Sequence, residues 1–324
     1  MPNEYSIETF DLSKRYGDIK AVDKLNLKIK KGEIFGLLGP NGAGKTTAIT
    51  MLCTILPPTS GTATVNGFDV IKEPAQVRKS IGIVFQAPSV DDLLTGRENL
   101  RMHTLLFKMP REIRKKRIDE VLKLVDLEKR ADDLIKTYSG GMRRRLELAR
   151  GMMHNPSVLF LDEPTLGLDP QTREHMWKYI LKLAKMENMT IMLTTHYMEE
   201  AELLCDRVGI IDAGKIIALD EPDALKAQLG GDKIILRTRN PKMAALKKID
   251  CIKAVHRKGD VLQIVLKSGE CNLKKILLKA GDVKNVELNP TTLNDVFLHF
   301  TGKQIREEGG EGGFWQRVMG ERSK

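Results

Sequence analysis

The chain has 324 residues, enough for one large domain and a second, smaller one. Its 41% hydrophobic and 30% charged residues are ordinary for a globular protein, and no stretch approaches the roughly 20 apolar residues of a membrane-spanning helix, which argues against such a helix. The net charge of +10 favours an anionic partner, namely nucleic acid, an anionic membrane surface or nucleotide phosphate, without choosing among them.

Other features of the composition narrow the class of protein. The N-terminus lacks a basic-then-apolar leader, so we expect the chain to stay in the cytosol. The four cysteines are scattered without a C-x-x-C pair, which favours buried, reduced thiols. The densest basic clusters, residues 114–117 and 143–145, lie in helical patterns beside acidic residues and without interleaved aromatic residues. We interpret them as solvated helix faces and not as a nucleic-acid-binding surface.

The first predicted elements are strands. Residues 5–31 alternate between apolar and polar in short runs, which predicts half-exposed antiparallel strands joined by a turn around Gly17. Tyr16 lies in this turn region. Its ring either stacks on an adenine or serves as a core or rim residue, and the sequence leaves both interpretations open.

A glycine-rich segment follows the apolar run 34–38 and leads into a helix start. The segment is Gly39-Pro40-Asn41-Gly42-Ala43-Gly44-Lys45-Thr46-Thr47, the P-loop pattern. Small residues let successive backbone N–H groups approach phosphate oxygens, and the helix N-terminus adds partial positive charge. Lys45 would reach the β- and γ-phosphates, and the Thr46 hydroxyl would complete the coordination of Mg²⁺. We predict a nucleotide site here, the alternative being a tight strand-to-helix turn without a ligand.

The next buried strand, residues 80–85, ends at Gln86. Open α/β sheets bind ligands at such strand ends, so Gln86 is a candidate contact to Mg²⁺ or to the attacking water, or else a plain loop residue. From about residue 93 to residue 155 the pattern becomes helical, and Thr95 with Glu98 forms a capping box. We expect an all-helical insertion into the α/β core.

Within this insertion, Ser139-Gly140-Gly141 opens a helix. Free N–H groups, a hydroxyl donor and the helix dipole repeat the anion-binding features of the P-loop. Because serine is also a favoured N-cap, an ordinary capped helix end is the alternative interpretation.

Two later strands also end in polar residues. Four apolar residues precede Asp162 and Glu163, and a buried strand has no structural use for adjacent carboxylates at its end. Asp162 would hold Mg²⁺ through water, and Glu163 would polarise the water that attacks the γ-phosphate. His196 follows the next strand and shares this sheet edge with Lys45 and the two acids, so we interpret it as a ligand contact and not as a structural histidine.

The pattern changes after two further strands and a helix at 222–229. Gly230 and Gly231 mark a natural boundary, so we predict domains at 1–230 and 231–303, followed by a flexible tail at 304–324. The β-α-β-β-α-β order of the second domain predicts a ferredoxin-like α+β module with one added helix and no catalytic constellation. The first domain is predicted to be an α/β core of the P-loop NTPase type with an antiparallel β edge.

This order of motifs resembles the nucleotide-binding subunit of ABC transporters over essentially all of residues 4–222. The motifs match in turn: Tyr16 as the adenine-stacking aromatic, 39–47 as Walker A, Gln86 as the Q-loop, 139–141 as the signature, 158–162 as Walker B, Asp169 as the D-loop aspartate and His196 as the switch histidine. The resemblance implies catalytic roles for Glu163, His196 and Gln86. It implies contacts to Mg²⁺ from Thr46, Gln86 and Asp162.

The family signature usually begins with Leu and ends in Gln, whereas this chain has Tyr138 and Met142. The groups expected to touch the γ-phosphate, the Ser139 hydroxyl and the backbone N–H groups of Gly140 and Gly141, remain. In the family, two such domains pack head to tail and enclose two ATP molecules. The resemblance therefore implies a second copy of this chain as a partner during turnover, with ATP and Mg²⁺ as cofactors.

Residues 290–298 are similar to the C-terminal extension of ATPase subunits of the drug-resistance and antibiotic-export type. The resemblance implies a cytoplasmic subunit, peripheral on the inner face of the cell membrane, that powers a separate permease and exports a drug-like or hydrophobic substrate without binding nucleic acid directly. The alternative is a soluble ABC ATPase acting on ribosomes or nucleic acid, but such proteins usually carry tandem cassettes or a long coiled coil. A compatible hypothesis makes the C-terminal module a regulatory or dimerisation domain.

Overall fold

The computed structural model describes residues 4–187, 189–229, 231–239, 241–267 and 273–301. The chain divides between Leu219 and Asp220 into two compact units. This division precedes the glycine pair at which the sequence places the boundary, because the helix at 222–229 packs against the last helix, 293–301, of the second unit. The tail at 304–324 lies outside the described residues.

The first unit contains two sheets and the helices between them. Its strands are β1 (Tyr5–Tyr16), β2 (Ile19–Leu25), β3 (Lys28–Lys30), β4 (Ile34–Leu38), β5 (Ser60–Val65), β6 (Phe68–Asp69), β7 (Ile81–Val84), β8 (Val158–Asp162), β9 (Thr190–Thr195), β10 (Arg207–Asp212) and β11 (Lys215–Asp220). Its helices are α1 (Lys45–Leu52), α2 (Pro74–Ser80), α3 (Gly96–Leu106), α4 (Arg111–Leu124), α5 (Gly140–Gly151), α6 (Pro170–Glu187) and α7 (Met198–Leu204).

The larger sheet carries the predicted site. It has six strands in the order β11-β10-β4-β9-β8-β7, and the pairs from β10 to β7 are parallel. Every residue of β4, β8 and β9 is buried, which explains why β4 and β8 read as apolar runs and why β9 has three apolar residues at its centre. Their carboxyl ends meet at one edge of the sheet, so the polar residues that follow them converge. The predicted α/β core is confirmed.

The smaller sheet is the predicted antiparallel edge. Its strands follow the order β2-β1-β5-β6, with β3 paired to β1, and β1 lies antiparallel to both β2 and β5. The sequence did not predict β6 or α2. One hydrophobic core joins the two sheets, and Ile29, Phe35 and Phe160 are among its fully buried side chains.

The predicted helical insertion is also confirmed. It consists of α3, α4, two short 3-10 turns at 128–130 and 135–137, and α5. The Thr95 side chain accepts a hydrogen bond from the backbone N–H of Glu98, while the Glu98 carboxylate accepts one from the backbone N–H of Thr95, so the capping box is formed. Arg97 anchors the insertion internally through ion pairs with Asp119 and Asp132.

The second unit has the predicted ferredoxin-like topology. Its elements are α8 (Pro222–Leu229), β12 (Lys233–Arg239), α9 (Met243–Leu246), β13 (Ile252–Lys258), β14 (Val261–Leu266), α10 (Leu273–Lys279), β15 (Asp282–Asn289) and α11 (Leu293–Thr301). The sheet order is β13-β14-β12-β15 with antiparallel pairs throughout. Ile234, Leu236, Leu262 and Ile276 belong to its core, and α11 is the added helix.

The cysteines depart from the expectation in one place. Cys53 and Cys205 are buried free thiols, as predicted. Cys251 is disulfide-bonded, so the prediction of reduced thiols is wrong there, because spacing along the chain carries no information on which sulfurs the fold brings together. Cys271 lies outside the described residues. Within the described ranges, none of the helices is both long and apolar enough to span a membrane.

Candidate active site

The predicted phosphate loop, residues 39–47, joins the buried end of β4 to the first turn of α1. Gly44 is the residue before α1 and has φ of 106°. A Cβ atom there would overlap the backbone carbonyl of Ala21, and a Cβ at Gly39 would overlap that of Ile211. Only glycine fits both positions, and Gly42, with φ of 81°, also lies in the left-handed region. The loop is therefore held tightly on the sheet, while Asn41 and Thr46 remain exposed.

Lys45 is 4% exposed and lies under the phosphate loop. Its Nζ donates to the backbone carbonyls of Gly39 at 2.8 Å and Pro40 at 3.1 Å. The same Nζ forms an ion pair with Glu163 Oε1 at 3.1 Å. The lysine predicted to bind phosphate thus contacts the predicted catalytic base in this structure.

Asp162 lies at the end of β8 and faces α1. The Thr46 hydroxyl donates to Asp162 Oδ1 at 3.2 Å, and the Thr194 hydroxyl donates to the same oxygen at 2.6 Å. Burial raises the pKa of Asp162, and these hydrogen bonds offset that effect only in part. A hydroxyl and a carboxylate at hydrogen-bond distance are hard oxygen ligands of the kind that Mg²⁺ uses beside nucleotide phosphates, so the residues fit a magnesium ion.

Glu163 adopts an unusual backbone conformation, with φ of 47°. Its backbone N–H donates to the carbonyl of Thr194 at 3.2 Å and to its hydroxyl at 3.0 Å. His196 Nδ1 lies 3.1 Å from Glu163 Oε2. Burial raises the pKa of Glu163, but the hydrogen bond from His196 and the charge of Lys45 together outweigh burial and hold that pKa below its ordinary value. The carboxylate is therefore ionised at neutral pH, as a general base must be.

The other predicted site residues lie outside this cluster. Gln86 is exposed, follows β7 by two residues, and makes no hydrogen bond to Thr46 or Asp162 within the described residues. Tyr16 is 40% exposed at the end of β1, with Lys14 Nζ 5.6 Å from its ring centroid, so it is not a core residue. The structure brings neither side chain to the carboxylates.

The signature and D-loop residues act as helix caps in this structure. The Ser139 hydroxyl accepts a hydrogen bond from the backbone N–H of Met142 at 3.3 Å, and Ser139 and Gly140 are exposed. The Asp169 carboxylate accepts from the Thr172 backbone N–H at 3.0 Å and from its hydroxyl at 2.6 Å. Ser139 caps α5 in this structure, and the start of this helix stays exposed, so its contact with phosphate remains a prediction.

Tyr138 explains the first departure from the family signature. Its side chain is buried, and its hydroxyl donates to the carbonyl of Arg130 at 2.6 Å. A Cβ atom at position 96 would overlap this hydroxyl, so Gly96 provides the space that the tyrosine needs. The signature segment is therefore anchored to the turn at 128–130 without altering its exposed residues.

The sequence analysis missed two residues of the site. Thr194 forms hydrogen bonds with both Asp162 and Glu163. The sequence feature that could have revealed it is a polar residue near the end of a buried strand. Arg144 is only 8% exposed and donates to backbone carbonyls beside the carboxylates. The interpretation of residues 143–145 as a solvated helix face is wrong for Arg144, because consecutive residues on a helix point about 100° apart and this one points into the core.

Taken together, these features define a P-loop nucleotide hydrolase. A glycine-rich loop joins the buried parallel strand β4 to a helix, and a buried lysine lies beneath this loop. Two acidic residues lie at the end of β8, which is separated from β4 by one strand. Comparison with known families specifies the class further. Residues 22–166 match the ABC transporter family model, and residues 221–301 match the C-terminal domain of DrrA1-3-like ATP-binding proteins.

Relatives match the chain over nearly its whole length. It is 40% identical over 303 residues to the daunorubicin resistance ATP-binding protein DrrA3 of Streptomyces coeruleorubidus, covering 90% of this chain and 95% of that protein. It is 37% identical to the linearmycin resistance ATP-binding protein LnrL of Bacillus subtilis, covering 93% and 100% respectively. The chain belongs to the ATP-binding subunits of ABC transporters, and it is an ATPase.

Solved structures agree with this assignment. The first is cbiO1 from Clostridium perfringens, part of an ABC transporter complex, with a TM-score of 0.65 and 30% identity over 70% of this chain and 92% of that one. A dimeric post-hydrolysis state of the ATP-binding cassette MJ0796 with ADP and Pi has a TM-score of 0.60 and 30% identity over 66% and 98%.

Proposed function

We propose that this ATPase binds ATP with Mg²⁺ at the phosphate loop and drives a separate membrane permease that exports a drug-like or hydrophobic substrate. The observation that carries the catalytic part is the cluster of Lys45, Asp162, Glu163 and His196 at one sheet edge. The relatives' resistance functions support export.

Each residue of the cluster has a distinct role in the proposal. Lys45 would leave Glu163 to bind the β- and γ-phosphates. Thr46 and Asp162 would hold Mg²⁺, which would supply positive charge against the phosphates. Glu163, released from Lys45, accepts the proton of the attacking water. His196 orients the Glu163 carboxylate through the 3.1 Å contact. Gln86 joins the site by movement of its exposed segment.

A second copy of the chain completes the site in this proposal. Ser139 and Gly140 are exposed at the start of α5 and are therefore accessible to a nucleotide held by another chain. A helix N-terminus with free N–H groups binds the γ-phosphate held by a partner. Asp169 and Tyr16 then line the shared interface and the adenine. The dimeric solved cassettes support a homodimer.

The proposed permease contact lies on the helical insertion. Leu93, Leu105 and Leu106 are 79%, 52% and 70% exposed there, and these apolar side chains supply the proposed contact. Contact with a permease places the subunit on the inner face of the cell membrane. The nucleic-acid alternative is weakened, because Arg117 and Arg145 of the two basic clusters donate to backbone carbonyls inside the insertion.

The test is affinity capture of the Glu163→Gln protein with ATP from detergent-solubilised membranes of its own cell, followed by mass spectrometry. A polytopic membrane protein recovered in stoichiometric amount supports the proposal and identifies the permease. The Lys45→Ala protein is the matched control for ATP-dependent capture. Recovery of ribosomal or DNA-associated proteins alone would contradict the exporter proposal and favour the alternative.

A further inference from the structure

Arg144, on the second turn of α5, binds the backbone that carries the catalytic carboxylates. Its guanidinium donates to three consecutive carbonyls, those of Asp162 at 3.2 Å, Glu163 at 3.1 Å and Pro164 at 2.7 Å. Three successive carbonyls converge on one point because the chain turns sharply at Glu163, where φ is positive. The planar guanidinium of arginine, with five N–H donors in a fixed fork, suits such a set of acceptors.

The same guanidinium reaches the residue before Gln86. It donates to the carbonyl of Phe85 and forms an ion pair with Glu147 at 2.8 Å, one turn further along α5. Glu147 in turn accepts the backbone N–H of Ser89 at 2.7 Å. Arg150, a further turn along, donates to the carbonyl and the hydroxyl of Ser89. One face of α5 thus binds residues 85–89 at both ends.

We propose that Arg144 is a positioning residue for ATP hydrolysis, which holds the Glu163 backbone in its left-handed conformation and thereby aims the carboxylate. With Glu147 and Arg150 it forms a link, so that movement of residues 85–89 changes the position of Glu163. Among the described residues, the polar contacts of the Arg144 guanidinium are with the carbonyls of Phe85 and 162–164 and with Glu147, and none is with the phosphate loop. The inference rests on the proposed role of Glu163 as the base.

The test compares neighbouring arginines of the same helix in the full chain. Arg144→Met and Arg144→Lys are measured beside Arg143→Met, since Arg143 forms only a partly exposed ion pair with Asp92. Three quantities are compared: kcat for ATP hydrolysis, the Kd of a non-hydrolysable ATP analogue, and the thermal midpoint. The affinity measurement separates positioning of the base from damage to the nucleotide site.

We expect Arg144→Met to lower kcat by about tenfold to about a hundredfold, because a shift of about 1 Å in a catalytic group has this effect. The Kd of the analogue should change by less than about threefold, since the phosphate loop lies on other elements. Arg144→Lys should recover part of kcat because it keeps a charged donor to some of the carbonyls. Arg143→Met should behave like the wild-type protein.

A folded Arg144→Met protein with unchanged kcat overturns the proposal, and so does a parallel loss of kcat and affinity, which is the mark of general damage. If Arg144→Met does not fold, Arg144→Lys and Glu147→Gln carry the test by the same criteria. Glu163→Gln is measured in parallel. Rapid hydrolysis by Glu163→Gln would refute the role of the base, whereas an inactive Glu163→Gln beside a fully active Arg144→Met would refute only the positioning role.

The link itself is tested by combining Arg144→Met with Glu147→Gln. Glu147→Gln keeps an acceptor for the Ser89 N–H but removes the charge that pairs with Arg144. If both residues belong to one link, the double variant should lose no more kcat than Arg144→Met alone, because members of one network are not additive. Losses that multiply would show that Glu147 acts independently and would overturn the link.

Discussion

Replacing Glu163 by Gln should abolish turnover and, at the same time, tighten nucleotide binding. In the structure, Lys45 Nζ pairs with Glu163 Oε1 at 3.1 Å, and both side chains are buried. Lys45 cannot keep this geometry and also turn to bind a phosphate. Glu163 therefore competes with the nucleotide for the lysine, and weakening that competition should favour the nucleotide.

The size of the effect follows from the contact. At 3.1 Å the gross Coulomb attraction is about 5 kcal/mol with an effective dielectric constant of about 20, but most of it offsets the desolvation of two buried charges. A charge-assisted hydrogen bond contributes about 1.5 to 3 kcal/mol net, and the glutamine oxygen still accepts from Lys45, so roughly half is lost. A loss of about 0.8 to 1.5 kcal/mol corresponds to a nucleotide Kd that is about threefold to about tenfold lower.

Calorimetric titration of the wild-type and Glu163→Gln proteins with ADP measures this effect. ADP lacks the γ-phosphate that the partner's Ser139 would contact, so its affinity reports the release of Lys45 without a contribution from dimer formation. The exposed Glu174→Gln on α6 is the matched control and should leave the Kd of ADP unchanged. Loss of the base should lower hydrolysis by at least about a hundredfold, and ATP should then hold the variant as a dimer. Equal or weaker ADP binding by Glu163→Gln would refute the competition, and rapid hydrolysis would refute the role of the base.

Two further predictions concern the contacts around the carboxylates. His196→Ala removes the hydrogen bond that lowers the pKa of Glu163. The pKa of Glu163 should therefore rise, and the acid limb of the pH profile of kcat should move to higher pH. An unshifted limb would show that His196 does not control the base. Thr194→Val removes a buried hydroxyl that donates to Asp162 and accepts from Glu163. This variant should lower the free energy of unfolding, measured by urea titration, by about 1 to 3 kcal/mol. It should also raise the Mg²⁺ concentration needed for the half-maximal rate of hydrolysis. Unchanged stability together with an unchanged Mg²⁺ requirement would contradict this role of Thr194.

Much of the fold could be predicted because burial leaves a direct mark on the sequence. β4 and β8 are buried on both faces and therefore read as apolar runs, and polar residues at or directly after the ends of such strands must lie at one sheet edge. That reasoning placed Lys45 and Asp162 together before any coordinates. The two-residue β6 has no such pattern, because a strand of that length is set by its pairing with β5.

The contacts inside the site were less predictable, since they depend on where side chains meet in space. Sequence alone does not show that Lys45 pairs with Glu163, because each was assigned to a different partner, phosphate for one and water for the other. Arg144 was hidden in a run of charge that is usually solvated. Its burial depends on the orientation of α5, which no local pattern encodes.

The arrangement of α5 has a mechanical consequence. Three consecutive arginines tie this helix to different parts of the unit: Arg143 to Asp92 in the segment before α3, Arg144 to the end of β8, and Arg145 to the carbonyl of Val125 after α4 and to Tyr179 on α6. A force on the exposed start of this helix is therefore shared among all of these attachments. If the partner's ATP pulls on the signature segment, the insertion and the catalytic edge must respond together, because closely packed elements shift between discrete arrangements and do not deform gradually.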